Sequence, residues 1–319
     1  MRVDGGESAD DHAERPTTTP SGQRPRRAAN DHAERPTITL RALPLALPLA
    51  RYAPRVIDTH CHLTFPEYEG RVGEILADAR EVGVLGAITI ATTTRDARRT
   101  VALAEAHTNL WASAGVHPLY ADEPADWEEM RAAGRSRKCV AWGELGLDRH
   151  YADPPQEVQR PVLEAQLEAI ARWHREEPAL AKPIVLHCRE AFDELIPVLR
   201  ASGLPAERFV FHCFTAGPRE MRLLLDFGAS VSFTGVVTFR NAKPTHDAAR
   251  LAPLDRIMVE TDAPFLTPEP HRTVRPNAPK YVVHVVEALA ALRGEPVERV
   301  REAVFANAQA FFGVHPTGV

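Results

Sequence analysis

The feature that most constrains the fold is a regular alternation of strand-like and helix-like runs, which begins near Arg55. The eight strand-like runs are 55–58, 86–91, 110–114, 139–143, 183–187, 208–212, 229–233 and 256–260. The helix-like runs include 72–82, 96–107, 156–175, 190–202 and 218–227, with 280–292 and 296–312 after the eighth strand. Strands that alternate with helices in this way indicate βαβ units and a parallel sheet.

Two architectures accommodate such an alternation. Eight β/α units in the roughly 265 residues that follow position 54 match a TIM barrel, which typically has about 250 residues. An open doubly wound sheet is the alternative, but it gathers its ligand at one switch point. Candidate ligands in this chain follow strands one, four, five, six and eight, and only a closed barrel brings those strand ends to one mouth. We therefore predict an α/β protein with a TIM (β/α)8 barrel over residues 54–319.

The first fifty or so residues differ from the rest in composition. They are rich in Pro, Arg, Thr and Ala, and the segment Asp-His-Ala-Glu-Arg-Pro-Thr occurs twice, at 11–17 and 31–37. Two copies are too few for a solenoid, which needs about three repeats to bury a core. Because the segment lacks sustained hydrophobic periodicity, we predict a disordered extension over residues 1–53.

Composition and charge narrow the function classes. The chain is 44% hydrophobic and 25% charged, as ordinary globular proteins are. It has no run of about 18 apolar residues, so no membrane span is expected, and we predict no membrane partner. A net charge of −5 offers nucleic acid no broad attraction, so any such contact would be local, through a few arginines or bound metal.

The four cysteines are Cys61, Cys139, Cys188 and Cys213. They lack CxxC spacing and a disulfide-rich pattern, which is typical of a reducing compartment, so we predict a cytoplasmic protein. We expect each cysteine to lie on the far side of its strand as a small buried hydrophobe. Nothing in the sequence implies an obligate protein partner.

Polar residues at the strand ends predict a metal centre. His60 and His62 close the first strand-like run, and alternation along a strand lets both reach one point while Cys61 faces away. The other strand-end candidates are Glu144, His187, His212 and Asp262. Four histidines and two carboxylates at one mouth are typical of a two-metal hydrolytic centre. With neutral histidines the six carry a formal charge of −2, so two divalent cations leave +2, which favours an anionic substrate such as a phosphodiester.

Six segments that carry these residues resemble the TatD metal-dependent hydrolases, often called TatD DNases. The segments are 58–63, 114–118, 143–148, 187–191, 212–217 and 260–268. The resemblance covers nearly all of residues 55–319. The stretch 272–282 departs slightly from the family pattern, because Pro276 is added and Ala278 stands where Glu is usual. None of the candidate ligands lies in that stretch.

The resemblance implies a TIM barrel with two divalent cations. By the family pattern, His60, His62 and Asp262 hold one metal, His187 and His212 hold the other, and Glu144 bridges them. Histidine-rich sites suit Zn²⁺ or Mn²⁺, and Mg²⁺ is common in assays of the family, so all three ions are candidates. The family is associated with DNA hydrolysis, often from a 3′ end, and some relatives with D-aminoacyl-tRNA deacylation.

Roles within this site follow from the chemistry. We predict Asp262 and Glu144 as catalytic residues, with Asp262 orienting the attacking water and taking its proton. We predict three substrate contacts. His117 follows the third strand, Arg189 lies two residues past His187, and Arg240 follows the seventh strand where the family often has Lys.

Three functions remain open on the sequence. A phosphodiesterase acting on nucleic-acid ends, with DNA favoured over RNA, is the leading hypothesis. A D-aminoacyl-tRNA deacylase or another carboxylic-ester or lactone hydrolase is the alternative. Glu144 stands where many barrel amidohydrolases use a modified lysine, which favours the TatD-like branch. A non-catalytic binding protein is the third reading, but all six ligand positions are filled.

The extension provides the first test. Deleting the first fifty residues is expected to leave hydrolytic activity intact, because every candidate site residue lies in the barrel region. Comparing the activity and thermal unfolding of the full and truncated chains checks this. A large fall in melting temperature would contradict the predicted disorder, because it would mean that the extension packs on the barrel.

Overall fold

The computed structural model describes residues 55–318, and these residues form a TIM barrel. Its strands are β1 Val56–Cys61, β2 Val84–Thr89, β3 Leu110–Ala114, β4 Cys139–Asp148, β5 Ile184–Arg189, β6 Phe209–Phe211, β7 Ser230–Phe233 and β8 Ile257–Val259. Its helices are α1 Val72–Glu81, α2 Thr94–Glu105, α3 Trp127–Gly134, α4 Gln156–Glu176, α5 Phe192–Ala201, α6 Pro218–Phe227, α7 Lys243–Leu251, α8 Val282–Arg293 and α9 Val297–Phe312. The predicted disordered extension, residues 1–53, lies outside the described residues.

The strands form one parallel sheet in sequential order from β1 to β8. Backbone hydrogen bonds join the end of β1 to the segment after β8. The N–H of Asp262 donates to the carbonyl of His60 at 2.9 Å, and the N–H of His62 donates to the carbonyl of Ala263 at 2.7 Å. The sheet therefore closes on itself, which confirms the barrel and excludes the open doubly wound sheet.

Apolar side chains alternate between two layers along the strands. Val185, Val210 and Met258 belong to a small cluster, while their neighbours in the same strands belong to the large cluster shared with the helices. Since successive strand residues face opposite sides of the sheet, the small cluster fills the barrel interior. Phe312 of α9 packs into it.

Helix α9 covers the N-terminal end of the barrel. Its Asn307 side chain donates to the carbonyls of Leu254 and Ile257, both at 2.8 Å, where β8 begins. The opposite end, where the strands finish, carries the cavity described below. No helix within residues 55–318 is long and apolar enough to cross a bilayer.

The main departure from the predicted elements is the length of β4. The sequence predicted an end at Gly143, because glycines weaken a strand. The strand instead continues to Asp148, and its last four residues pair with 186–189 of β5. Gly146 permits this pairing because it has a φ of +153°, and a Cβ at that position would overlap the carbonyl oxygen of His187.

The close approach at Gly146 leads to a stability prediction. Gly146→Ala is expected to lower the melting temperature more than Gly203→Ala does. Both glycines have positive φ, but a Cβ at Gly203 meets nothing within 4 Å. Alanine at positive φ is strained at both positions, by about 1–3 kcal/mol, and the φ of +153° at Gly146 is the less accessible of the two. The clash with β5 is added only at Gly146. Thermal unfolding followed by circular dichroism checks this, and equal shifts would contradict it.

Candidate metal centre

The strand ends bring all six predicted ligands to one buried site at the C-terminal mouth of the barrel. His60 lies in β1, Glu144 in β4 and His187 in β5, and the other three lie at or just after strand ends. The six are His60, His62, Glu144, His187, His212 and Asp262. Their arrangement falls into two overlapping clusters that share Glu144.

The first cluster joins the ends of β1 and β8. The Nε2 atoms of His60 and His62 lie 3.3 Å apart, and Oδ1 of Asp262 lies 3.7 Å and 3.5 Å from them, respectively. Nδ1 of His62 lies 3.2 Å from the carbonyl of Ile90. Since a carbonyl only accepts, that contact places the ring proton on Nδ1 and leaves the Nε2 lone pair directed at the cluster. Imidazole nitrogens and a carboxylate oxygen directed at one point fit a divalent cation.

The second cluster surrounds Glu144. Its Oε1 lies 2.5 Å from Nε2 of His212 and 2.9 Å from Nδ1 of His187, while its Oε2 lies 3.3 Å from Nε2 of His60. The carboxylate therefore faces histidines of both clusters with different oxygens. This is the position that a bridging ligand requires.

Both carboxylates of the site are held in the ionised form. Burial by itself would raise the pKa of Glu144, but His212, His117 and His60 together hold that pKa well below its usual range. Burial likewise opposes ionisation of Asp262, and the hydrogen bond with His62 and the nearby histidines lower its pKa. Two carboxylates, one buried and one partly buried, that stay charged match the donor set of a divalent metal site.

His117 lies in the same site but presents a proton. Its Nδ1 accepts a hydrogen bond from the backbone N–H of Leu119 at 3.0 Å, and burial is the main cause that lowers its pKa to about 4. The neutral ring therefore carries its proton on Nε2, which lies 3.1 Å from Nδ1 of His187 and 3.4 Å from Oε1 of Glu144. His117 is thus arranged as a hydrogen-bond donor. By distance alone, its ring nitrogen could also form a metal-binding group with Glu144 and His187.

Two carboxylates outside the predicted set of site residues lie behind the ligand histidines. Oδ2 of Asp148 lies 2.8 Å from Nε2 of His187, and although burial opposes it, this contact helps lower the pKa of Asp148 to about 2. Oε1 of Glu260 lies 3.3 Å from Nδ1 of His212, outside good hydrogen-bond geometry. Glu260 is held in place by the Cys213 N–H and the Ser232 hydroxyl, each at 2.6 Å. In the sequence, each of these two carboxylates lies near a predicted ligand at a strand end, and that position is the signal that points to them.

The cavity above the clusters has a volume of about 610 Å³. Two of the three predicted substrate contacts, His117 and Arg189, line it, whereas Arg240 is exposed and lies outside its lining. Cys61 and Cys139 are buried, as expected. Cys188 and Cys213 are only partly buried and line the cavity, so the expectation of full burial is wrong for these two. The pairing of β5 with β6 stops at Leu186, which leaves Cys188 uncovered, and Cys213 follows β6 with a φ of +46°, outside strand geometry.

Comparison with known proteins identifies the family. The model of the family described as TatD related DNase matches residues 57–313. This chain belongs to the TatD family. It is therefore a member of a family of metal-dependent hydrolases, and its clustered histidines and carboxylates are in keeping with that membership.

Individual relatives match over nearly their whole length. The metal-dependent hydrolase YcfH of Escherichia coli K12 is 36% identical over 262 residues, which cover 81% of this chain and 96% of that protein. The 3′-5′ ssDNA/RNA exonuclease TatD of Pantoea ananatis is 35% identical over 268 residues, covering 81% of this chain and all of that protein. The crystal structure of YjjV, a TatD homologue from Escherichia coli K12, superposes with a TM-score of 0.76 at 32% identity, covering 83% of this chain and 100% of that one.

The contact between Asp148 and His187 leads to a prediction about metal affinity. Asp148→Asn is expected to weaken divalent-metal binding by about 10- to 100-fold, the usual cost of losing a partner that orients a metal-ligating histidine. One carboxylate oxygen of Asp148 accepts hydrogen bonds from the backbone N–H groups of His150 and Tyr151, and the other oxygen contacts His187. Asparagine has a single side-chain oxygen, which cannot accept from all three groups.

Titration calorimetry of Zn²⁺ and Mn²⁺ into metal-free protein measures the effect. Asp193→Asn is the matched control, because Asp193 pairs with Arg219 on the exposed surface of α5. Equal affinities in the two variants would show that Asp148 does not orient a ligand.

Proposed function

We propose that this chain is a two-metal nuclease, a deoxyribonuclease that removes nucleotides from 3′ ends. The observation that carries the proposal is the position of Glu144, whose two oxygens face separate groups of histidines. In this proposal His60, His62 and Asp262 would hold one divalent cation, His187 and His212 would hold the other, and Glu144 would be available to both. Relatives named 3′-5′ ssDNA/RNA exonuclease, 33–35% identical to this chain, support the choice of substrate.

Divalent cations in such a centre act as Lewis acids and lower the pKa of water toward neutrality. Mg²⁺, Mn²⁺ and Zn²⁺ are the candidate ions. The residues of the chain supply the remaining functions. Both carboxylates line the cavity, but the Asp262 side chain is 14% exposed whereas that of Glu144 is 2% exposed. The greater exposure of Asp262 supports the proposal that it orients the attacking water and accepts its proton, and its lowered pKa favours the unprotonated form that this role needs.

Two further side chains are arranged to offset negative charge on the substrate. The Nε2–H of His117 is directed into the site from the β3 side, and the Arg189 guanidinium lies on the cavity wall at the end of β5. A phosphodiester gains negative charge on its oxygens as the nucleophile adds, so donors already in place favour that stage. We propose these two residues as substrate contacts, and Arg240 as a more distant contact on the exposed rim.

Other parts of the proposal rest on the sequence alone. We propose that the enzyme favours DNA over RNA. We also propose that it acts in the cytoplasm and without an obligate protein partner. The division into an extension, 1–53, and a catalytic barrel, 54–319, also belongs to the proposal.

Hydrolysis of single-stranded DNA labelled at its 5′ end tests the function. The metal-reconstituted protein is expected to shorten the strand stepwise from the 3′ end with Mg²⁺, Mn²⁺ or Zn²⁺, and EDTA is expected to stop the reaction. Asp262→Asn is expected to lower the rate by about 10²- to 10⁴-fold, because it removes the general base. Its melting temperature is expected to stay close to that of the unmodified protein, because the amide has nearly the same shape as the carboxylate.

Each alternative result has a distinct meaning. Full activity of Asp262→Asn would remove Asp262 as the base. Absence of DNA cleavage by protein that binds two metals per chain would contradict the nuclease proposal. Hydrolysis of D-aminoacyl-tRNA or a lactone under the same conditions would then assign the centre to carboxylic esters.

A further inference from the structure

Exposed phenylalanine and tyrosine side chains within residues 55–318 are confined to the rim of the metal centre. The large hydrophobic side chains that are strongly exposed there are Val82, Tyr151, Leu251, Phe265 and Val274. Only Tyr151 and Phe265 in that set are aromatic, at 48% and 50% exposure, and both line the cavity above the clustered histidines. An exposed ring gains little from the core, so its place beside a polar site points to a ligand.

Phe265 lies beside the cluster formed by His60, His62 and Asp262. Phe65, which follows β1, stacks on the His62 ring with centroids 4.9 Å apart. Phe265, which follows β8, packs edge-on against Phe65 at 6.1 Å. The neighbouring strands β1 and β8 thus present an apolar wall next to this cluster, and Phe265 is its exposed part.

Tyr151 lies on the other side of the mouth, because β4 and β5 are opposite β8 and β1 in the barrel order. The Arg189 guanidinium lies 5.0 Å from the Tyr151 ring centroid, and the His150 ring lies edge-on at 4.9 Å. Within residues 55–318, Arg189 forms no ion pair with a carboxylate. This side of the rim therefore combines an exposed ring with an unneutralised cation, which suits an anionic substrate that carries aromatic groups.

We propose that Phe265 and Tyr151 stack on the bases of the two nucleotides that flank the scissile phosphodiester, and that they select unpaired nucleic-acid ends. This inference rests on the proposed function. The two rings follow opposite strands of the barrel, and both line the cavity that holds the candidate ligands. A phosphodiester at the metal centre would therefore place one nucleotide toward each ring. Stacking is largely independent of sequence, because every base has a π-face. Bases within a duplex have these faces covered by their neighbours, so the two rings would favour single strands.

The test compares two single-stranded DNA substrates that carry the same phosphates. One has normal bases throughout, and the other has abasic tetrahydrofuran residues at its last two 3′ positions. The unmodified protein is expected to cleave the normal end with a kcat/KM that is about 5- to 150-fold higher for each stacked base, the range given by alanine substitution of such rings.

Single substitutions then assign the preference to the two rings. Phe265→Ala and Tyr151→Ala are each expected to reduce the ratio of the two kcat/KM values, whereas Phe265→Tyr and Tyr151→Phe are expected to retain it because they keep a ring. Val274→Ala is the matched control. Val274 lies in the same connection after β8 and is 38% exposed, but it does not line the cavity.

The outcomes separate this inference from the proposed function. Equal cleavage of normal and abasic ends would overturn the stacking proposal and leave the nuclease proposal intact. A preference that persists in both alanine variants would also overturn it, because some other feature would then read the bases. Failure of the unmodified protein to cleave either substrate would overturn both proposals.

Discussion

The arrangement of the site depends on one buried charge, the carboxylate of Glu144. Its side chain is 2% exposed and stays ionised only because histidines from several strands contact its two oxygens. A lone carboxylate in such a place would cost several kcal/mol, so the group demands cationic or hydrogen-bonding partners. The closure of the barrel supplies them, since it brings β1, β5 and β6 to the same point as β4. The same requirement for positive charge makes the position suitable for divalent metals.

The histidines of the site differ in their roles because their ring nitrogens contact different backbone groups. The carbonyl of Ile90 faces Nδ1 of His62 and leaves the lone pair of Nε2 directed at the cluster. The N–H of Leu119 reverses the arrangement at His117, whose Nε2 carries a proton into the site. The backbone group that faces Nδ1 thus decides whether Nε2 presents a lone pair, as a metal ligand does, or a proton, as a hydrogen-bond donor does. Asp148 performs the equivalent function at His187 through a carboxylate.

The site is also layered along the barrel axis. Helix α9 covers the N-terminal end, and the clustered ligands lie at the opposite end of the interior. The candidate metal ligands lie at the bottom of the cavity, whereas Arg189, Tyr151 and Phe265 lie on its wall and rim. Under the proposed function, catalysis and substrate recognition therefore fall to different residues, at the bottom and at the rim of the cavity.

The sequence by itself determined the barrel and the six candidate ligands, because strand and helix periodicity and strand-end polar residues are local patterns. It also indicated that His60 and His62 reach one point, since alternation along one strand is enough for that. Only the tertiary structure decided the extension of β4 through Gly146, which depends on close contact with β5. The proton position on His117, the support from Asp148 and the placement of Phe265 opposite Tyr151 likewise depend on groups distant in sequence. The cysteine interpretation was wrong for Cys188 and Cys213 because strand alternation does not predict where a neighbouring strand stops covering them.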